Sequence, residues 1–388
     1  MLYKGDSDVD RIYSIDYFKC WAMFFIVCIH TAPFYGAELW GLDGRYLNFL
    51  INTFARFAVP FFFMSSGFLF VQKILSQKDD KIYFKKYIHK IFAIFGSWYI
   101  FYLIYDFLKM IMKVLVLDSS NIFKYVFSYF YSLIDLKNIL SLFLYGDGAG
   151  VTSYHLWYLV ALIWSISIVY LFLKKSRLNV LLCISLFLNI IGLLGQTYSG
   201  LFELKLFNYS LQTRDAIFFG LFYTTLGSWI AFNYEIIKYK INKMNYKIFI
   251  FLFCLFSFTQ LIERTIAEVF WSSQIKSVDF YFSTVVLSIS LLLFALKKSD
   301  LGRKSVLSRI GKNSVGIYVF HVFFIDFTIS IFTFLEIDIK NYLSFHVIFT
   351  LLIFIVSIYF YKLLQTIKMK LKYLLKRKKE VFGQKNII

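Results

Sequence analysis

Ala58-Val59-Pro60-Phe61-Phe62-Phe63-Met64-Ser65-Ser66-Gly67-Phe68-Leu69-Phe70-Val71 is a phenylalanine-rich run without a single charge. Extended back to residue 47, it is long enough to cross about 30 Å of hydrocarbon as a helix, which takes about 20 mostly apolar residues. Comparable runs stand at Phe24–Ile29, Ile91–Leu108 and Ile248–Ile262. No sustained alternation with a period of two accompanies them, which argues against a barrel. In lipid the backbone must satisfy its own hydrogen bonds, and helices do so. The chain therefore reads as an all-α, polytopic membrane helix bundle.

Composition agrees. Of 388 residues, 59% are hydrophobic and only 17% charged, against about 25% charged in an ordinary soluble domain. The 49 phenylalanines exceed what a soluble surface can hide. Ten spans are expected, near 15–36, 47–71, 88–110, 156–173, 178–195, 215–233, 247–262, 280–296, 314–334 and 344–362. The net charge of +19 would suit nucleic acid, but the basic residues cluster in short loops between apolar runs. That is a topology signal, so no nucleic-acid partner is expected. With the N-terminus inside, Lys and Arg favour the cytoplasmic segments by roughly three to one. An even number of spans also keeps the Lys376-Arg377-Lys378-Lys379 tail inside. Both termini are thus expected in the cytoplasm, with a membrane domain over 1–364 and a basic tail over 365–388.

That tail carries Ile367, Leu371, Leu374 and Leu375 on one side and is expected on anionic headgroups. Residues 121–145 are aromatic and weakly amphipathic, which predicts interfacial helices, as a connector or as a lid. The Gly146–Gly150 tip reads as a flexible turn. Cys20, Cys28, Cys183 and Cys254 sit in apolar runs without metal spacing and read as unpaired small hydrophobes. The first apolar run lacks a cleavage site behind it and should remain as a helix.

Ionisable groups inside spans are costly and point to function. Lys19 and His30 are eleven residues apart, about 20° past three full helical turns, so they share a face. Asp16 lies three residues before Lys19, on nearly the same face. His30 is about 16 Å deeper than Lys19, near the bilayer midplane. Arg56 enters about 14 Å from the outer side and His321 about 10 Å from the inner side. Three polar groups at similar depth suggest one shared cavity, although each also has a structural reading: a packed histidine or an ion pair. A histidine there can take a proton from a hydroxyl. His30, His89, His155, His321 and His346 are too scattered for a metal site, and none is expected. Lys85, Lys86, His89 and Lys90 form a basic patch, either a topology signal or a clamp for the phosphates of a donor. At His155-Leu156-Trp157-Tyr158-Leu159, the aromatics serve as interface anchors or as sugar-stacking faces.

Four segments resemble the acyltransferase-3 family of membrane acyltransferases, which includes O-acetylases of cell-surface polysaccharides. They are Ile15-Asp16-Tyr17 through Lys19 to His30, Arg56 through Phe68, His155 through Leu159, and Gly311-Lys312-Asn313-Ser314-Val315-Gly316-Ile317-Tyr318-Val319-Phe320-His321. They occur in the family's order and spread over essentially the whole chain. The resemblance implies transfer of an acetyl or other short acyl group from cytoplasmic acyl-CoA, with no bound cofactor, to a glycan hydroxyl. His30 would be the acid/base or transient acyl carrier, with Lys19 and Asp16 beside it. Lys86, His89 and Lys90 would bind the donor, with Tyr87-Ile88-His89-Lys90 standing where the family often shows Arg-x-x-Arg. Arg56, Ser66, His155, Trp157 and His321 would line the acceptor cavity. The expected setting is a bacterial cytoplasmic membrane, with separate polysaccharide-synthesis proteins as partners. A transporter or flippase for a glycan or small anion is the alternative, and a non-catalytic scaffold the third reading.

Overall fold

Proline 60 shapes the centre of the molecule. It has no N–H to donate, and its ring clashes with the carbonyl four residues back, at Arg56. In the computed structural model, which describes residues 11–39, 41–117, 122–146, 148, 150, 152–199, 213–271, 279, 281–337 and 342–385, the apolar run is accordingly broken there. Helix α2 spans Gly44–Ala55 and α3 spans Ala58–Leu75. The span expected over 47–71 is present within Gly44–Leu75, with Arg56 inside it, but its helix is interrupted at Arg56 and Phe57. Together the two pieces form the most enclosed candidate span, with 67% of its apolar window buried.

The other helices surround this one. Helix α1 spans Tyr13–Thr31, followed by a short hairpin that pairs β1, Glu38–Leu39, with β2, Leu42–Asp43. Next come α4 (Asp80–Leu117), α5 (Ile122–Ile134) and α6 (Leu136–Tyr145). A 3-10 turn at Thr152–Leu156 leads into α7 (Trp157–Lys174), and α8 covers Leu178–Leu194. A π turn at Ala216–Gly220 opens α9 (Leu221–Phe232), which bends 83° into α10 (Tyr234–Lys243). The chain ends with α11 (Tyr246–Trp271), α12 (Phe282–Lys297), α13 (Val306–Gly311), α14 (Ser314–Phe334) and α15 (Leu343–Lys385).

Among the described residues, six helices are long and apolar enough to cross a membrane, or seven if the bent pair counts as one span. Each of the ten expected spans coincides with a helix. Helices α8 and α12 are short for a crossing, and α1 is more polar because it carries Asp16, Lys19 and His30. The outer helices α4 and α11 bury only 17% of their apolar windows. Their remaining apolar side chains face outward, as lipid contact requires.

Helices α3 and α9 pack against each other most extensively. A methyl group on Gly67 would lie 2.1 Å from the Thr224 carbonyl oxygen, and one on Gly227 would lie 2.0 Å from that of Met64. Small residues that let two backbones touch are how helices associate in lipid, where burial of apolar surface provides no drive.

Helices α5 and α6 bury no residue, consistent with the interfacial position expected for 121–145. Asn121, Asp147 and Ala149 lie outside the described residues, as do 1–10 and 386–388. Helix α15 runs unbroken to Lys385, so no change of backbone marks the boundary expected at 365. The side chains expected on the tail beyond Leu374, Lys376 to Lys379 included, are also outside the description. All four cysteines are free, with Cys20 and Cys28 buried.

Candidate functional site within the helix bundle

Lys19, Lys86 and Lys90 come from two helices that the sequence separates widely, and they line one cavity of about 490 Å³. Lys86 and Lys90 are one helical turn apart on α4 and so share a face. Lys19 and His30 line the same cavity from α1. The shared face expected from their spacing is therefore real, and it is the face turned to the cavity. Ser66, His155 and Trp157 line it as well.

Three expected members, Asp16, His89 and His321, line neither cavity, His321 because it packs behind His30. Asp16 is engaged by Arg11 at 2.6 Å and lines neither cavity. Its three-residue step from Lys19 leaves it about 60° around the helix, which is enough to turn it away. His89 is exposed and off the cavity, because it is about 100° from Lys90. The geometry thus gives no support to a catalytic Asp16 or a donor-binding His89.

A second, narrower cavity of about 70 Å³ lies beyond the first. Ile26, His30, Val59 and Trp157 wall both. The narrow cavity adds Arg56, Tyr154, Arg214 and Asp279. Arg56 is held by Asn52, 2.7 Å from Nη2, and by Asp279, 2.5 Å from Nη1. Arg214 reaches the other oxygen of Asp279 at 3.3 Å and stands 5.4 Å from the centre of the Trp157 ring. The expected placement of Arg56 on the polar cavity holds, and so does its reading as one partner of an ion pair.

His30 joins three other rings. Its Nδ1 is 3.1 Å from the Tyr154 hydroxyl, and its ring centre is 5.1 Å from that of His321. His155 stands 5.3 Å from His321. His321 Nδ1 faces two carbonyl oxygens, Tyr318 at 2.7 Å and Ile317 at 3.3 Å, so it carries the proton. That leaves Nε2 as an acceptor, and it is buried without a hydrogen-bond partner. Both ring nitrogens of His155 are likewise unpartnered. The Thr152 and Val319 backbones lie close by. His321 lines neither cavity and forms a second layer behind His30. Among the described residues, no group of three His, Cys, Asp or Glu could hold a metal ion.

Helix α4 fixes the segment that carries Tyr154 and His155. Asp106 accepts hydrogen bonds from the Thr152 amide and hydroxyl, anchoring the 3-10 turn at its start. Tyr102 donates to the Val319 carbonyl at 2.8 Å and accepts from the Phe323 amide, tying α4 to α14. Tyr318 donates to the His155 carbonyl. Asp106→Ala should leave the Thr152 donors unsatisfied and cost about 1–3 kcal/mol. A thermal melt in detergent should show this as a lower Tm, and an unchanged Tm would mean the anchor carries no energy.

Tyr154, Tyr318, Arg214 and Asp279 were not among the residues expected here. Tyr154 adjoins His155 in sequence, and Tyr318 is one turn before His321, so adjacency could have found both. Arg214 and Asp279 lie outside the long helices, where no period relates them to His30.

A bundle of membrane-length helices around an internal cavity, with a histidine between its two parts, defines an integral membrane protein whose candidate site is inside the bundle. A family model described as an acyltransferase domain matches residues 12–362. The chain belongs to that family, acyltransferase-3. Two curated relatives, both named amino-acid racemase and both from Enterococcus faecalis, are 30% identical over 251 residues and 27% identical over 246. These matches cover 62% and 60% of this chain but only 30% of each relative, so the chain spans under a third of the curated relatives it matches. No solved structure matches.

Proposed function

We propose that this protein transfers an acetyl or other short acyl group from cytoplasmic acyl-CoA to a hydroxyl of a cell-envelope polysaccharide or its lipid-linked precursor, in a bacterial cytoplasmic membrane. One observation carries the reading: His30 is a common wall of a wide lysine-lined cavity and a narrow arginine-lined one. A donor and an acceptor arriving from opposite faces would meet there. The positive-inside bias supports placing the lysine end, and both termini, in the cytoplasm.

The chemistry follows from the residues. Lys19, Lys86 and Lys90 offer point charges to the donor's phosphates. When His30 Nδ1 donates to the Tyr154 hydroxyl, Nε2 is left to take the proton of the attacking hydroxyl. The new ester bond forms as the thioester carbon–sulfur bond breaks, and His30 returns the proton to the leaving thiolate. The racemase name of the relatives belongs to proteins more than three times as long as the stretch they share with this chain. It is not carried over.

Envelope-glycan mass spectrometry on a strain lacking the gene is the direct test. Loss of one fixed acyl mass, restored by wild type and not by His30→Ala, is the expected result. An unaltered acylation pattern in a deletion strain with no second acyltransferase would favour transport or scaffolding instead. The donor end has its own prediction. Lys86→Glu with Lys90→Glu should raise KM for acyl-CoA at least about tenfold with a smaller change in kcat, because it removes ground-state binding. Equal KM values would take the lysines out of donor binding.

A further inference from the structure

Inside the narrow cavity, two guanidinium groups share one carboxylate. Arg56 and Arg214 bind opposite oxygens of Asp279, so the described groups that line the cavity carry two positive charges and one negative. The remaining wall is largely apolar, with Ile26, Ile29, Val59 and Phe219. A net cation in such a setting is poorly solvated, so an anion entering it would gain by compensating the charge.

The two arginines are not equivalent. Arg56 is 14% exposed and locked by Asn52 and by a 2.5 Å contact with Asp279. Arg214 is 40% exposed, and its contact with Asp279 is the longer one at 3.3 Å. Its planar group also lies over Trp157, which walls both cavities. Arg214 can therefore turn from Asp279 to an incoming anion with little loss, and a planar guanidinium suits carboxylate and phosphate geometry.

Size and position narrow the ligand. About 70 Å³ holds a few water-sized groups, not a sugar ring. His30 is on the same wall. A group seated there would thus be within about one sugar width of a hydroxyl presented to His30, with the ring itself against Trp157.

We propose that the acyl acceptor is anionic, and that its carboxylate or phosphate is read by Arg214, with Arg56 and Asp279 as the fixed base of the pocket. This rests on the acyl-transfer reading and names the class of its acceptor. The full chain in lipid nanodiscs can be titrated calorimetrically with methyl glucuronide, the 6-phosphate of methyl glucoside, and neutral methyl glucoside. At least one anion should bind at least tenfold more tightly than the neutral sugar, and the stronger of the two identifies carboxylate or phosphate. Arg214→Gln should bring all three within about twofold. Asp279→Asn removes the competing carboxylate and should raise anion affinity at least threefold, an effect opposite in sign to damage from misfolding. Equal binding of the three sugars, no binding of any, or a preference that survives Arg214→Gln would overturn the proposal. The titration needs no acyl donor. A failed acylation test with a positive titration would remove only the enzymatic reading, and the reverse pair of results would remove only the anionic acceptor.

Discussion

Replacing His30 by alanine lowers acyl transfer about 10²- to 10⁴-fold, the range expected when a general acid–base group is lost. The effect should fall on kcat, because on the proposed reading the donor is held by the lysines that line one cavity and the acceptor by the arginines that line the other. Stability should hardly change. The His30 side chain is half-buried, and among the described residues its one side-chain hydrogen bond is with Tyr154. Tyr154→Phe supplies a graded comparison. It keeps the imidazole and removes the hydroxyl that orients Nδ1, so its loss should be smaller, near tenfold. Purified enzyme with labelled acyl-CoA, read alongside a melting curve, separates catalysis from folding. Activity within threefold of wild type in folded His30→Ala would sink the assignment of His30 as the proton-transferring group.

Gly227→Ala should be strongly damaging to the bundle. Its methyl would lie 2.0 Å from the Met64 carbonyl oxygen, and the obstacle is backbone that no rotamer change can clear. Helices α3 and α9 must then separate. Overpacking of this kind costs about 1–3 kcal/mol, with the upper end expected where both sides are helix backbone. Gly67→Ala meets the Thr224 carbonyl oxygen in the same interface and should cost as much. The damage should also reach the site, because α3 carries Val59, Phe62 and Ser66 on the wide cavity. Denaturation in detergent, with Gly96→Ala on open α4 as the control, tests the claim. If Gly227→Ala melts with the control, the close approach carries no energy.

Both experiments turn on how far residues with a helical period can be read without coordinates. Lys19 and His30 belong to one helix, so 100° per residue already places them on one face. Lys86 and Lys90 were legible only as members of a basic patch, and their common face followed once the helix was seen to begin at Asp80. The same arithmetic gave Asp16 too much weight, since a three-residue step leaves a side chain to one side of the face, where Arg11 takes it. His321 was found as a candidate from its depth in a span and His155 from its segment at the start of another, and the motif resemblance included both. That their rings stand 5.3 Å apart, with His30 5.1 Å from His321, depends on how three helices pack.

Composition, apolar runs and motif order determined that this chain is a helical membrane protein of the acyltransferase-3 family, and which helices carry its polar groups. Those features are local: whether a segment prefers lipid or helix depends on side chains within a few turns. Only the tertiary structure decided that two cavities meet at His30, and that Arg214 and Asp279 join Arg56 there. Those are consequences of close packing between elements distant in sequence, set by contacts such as Gly67 on Thr224 and Gly227 on Met64 that have no period along the chain.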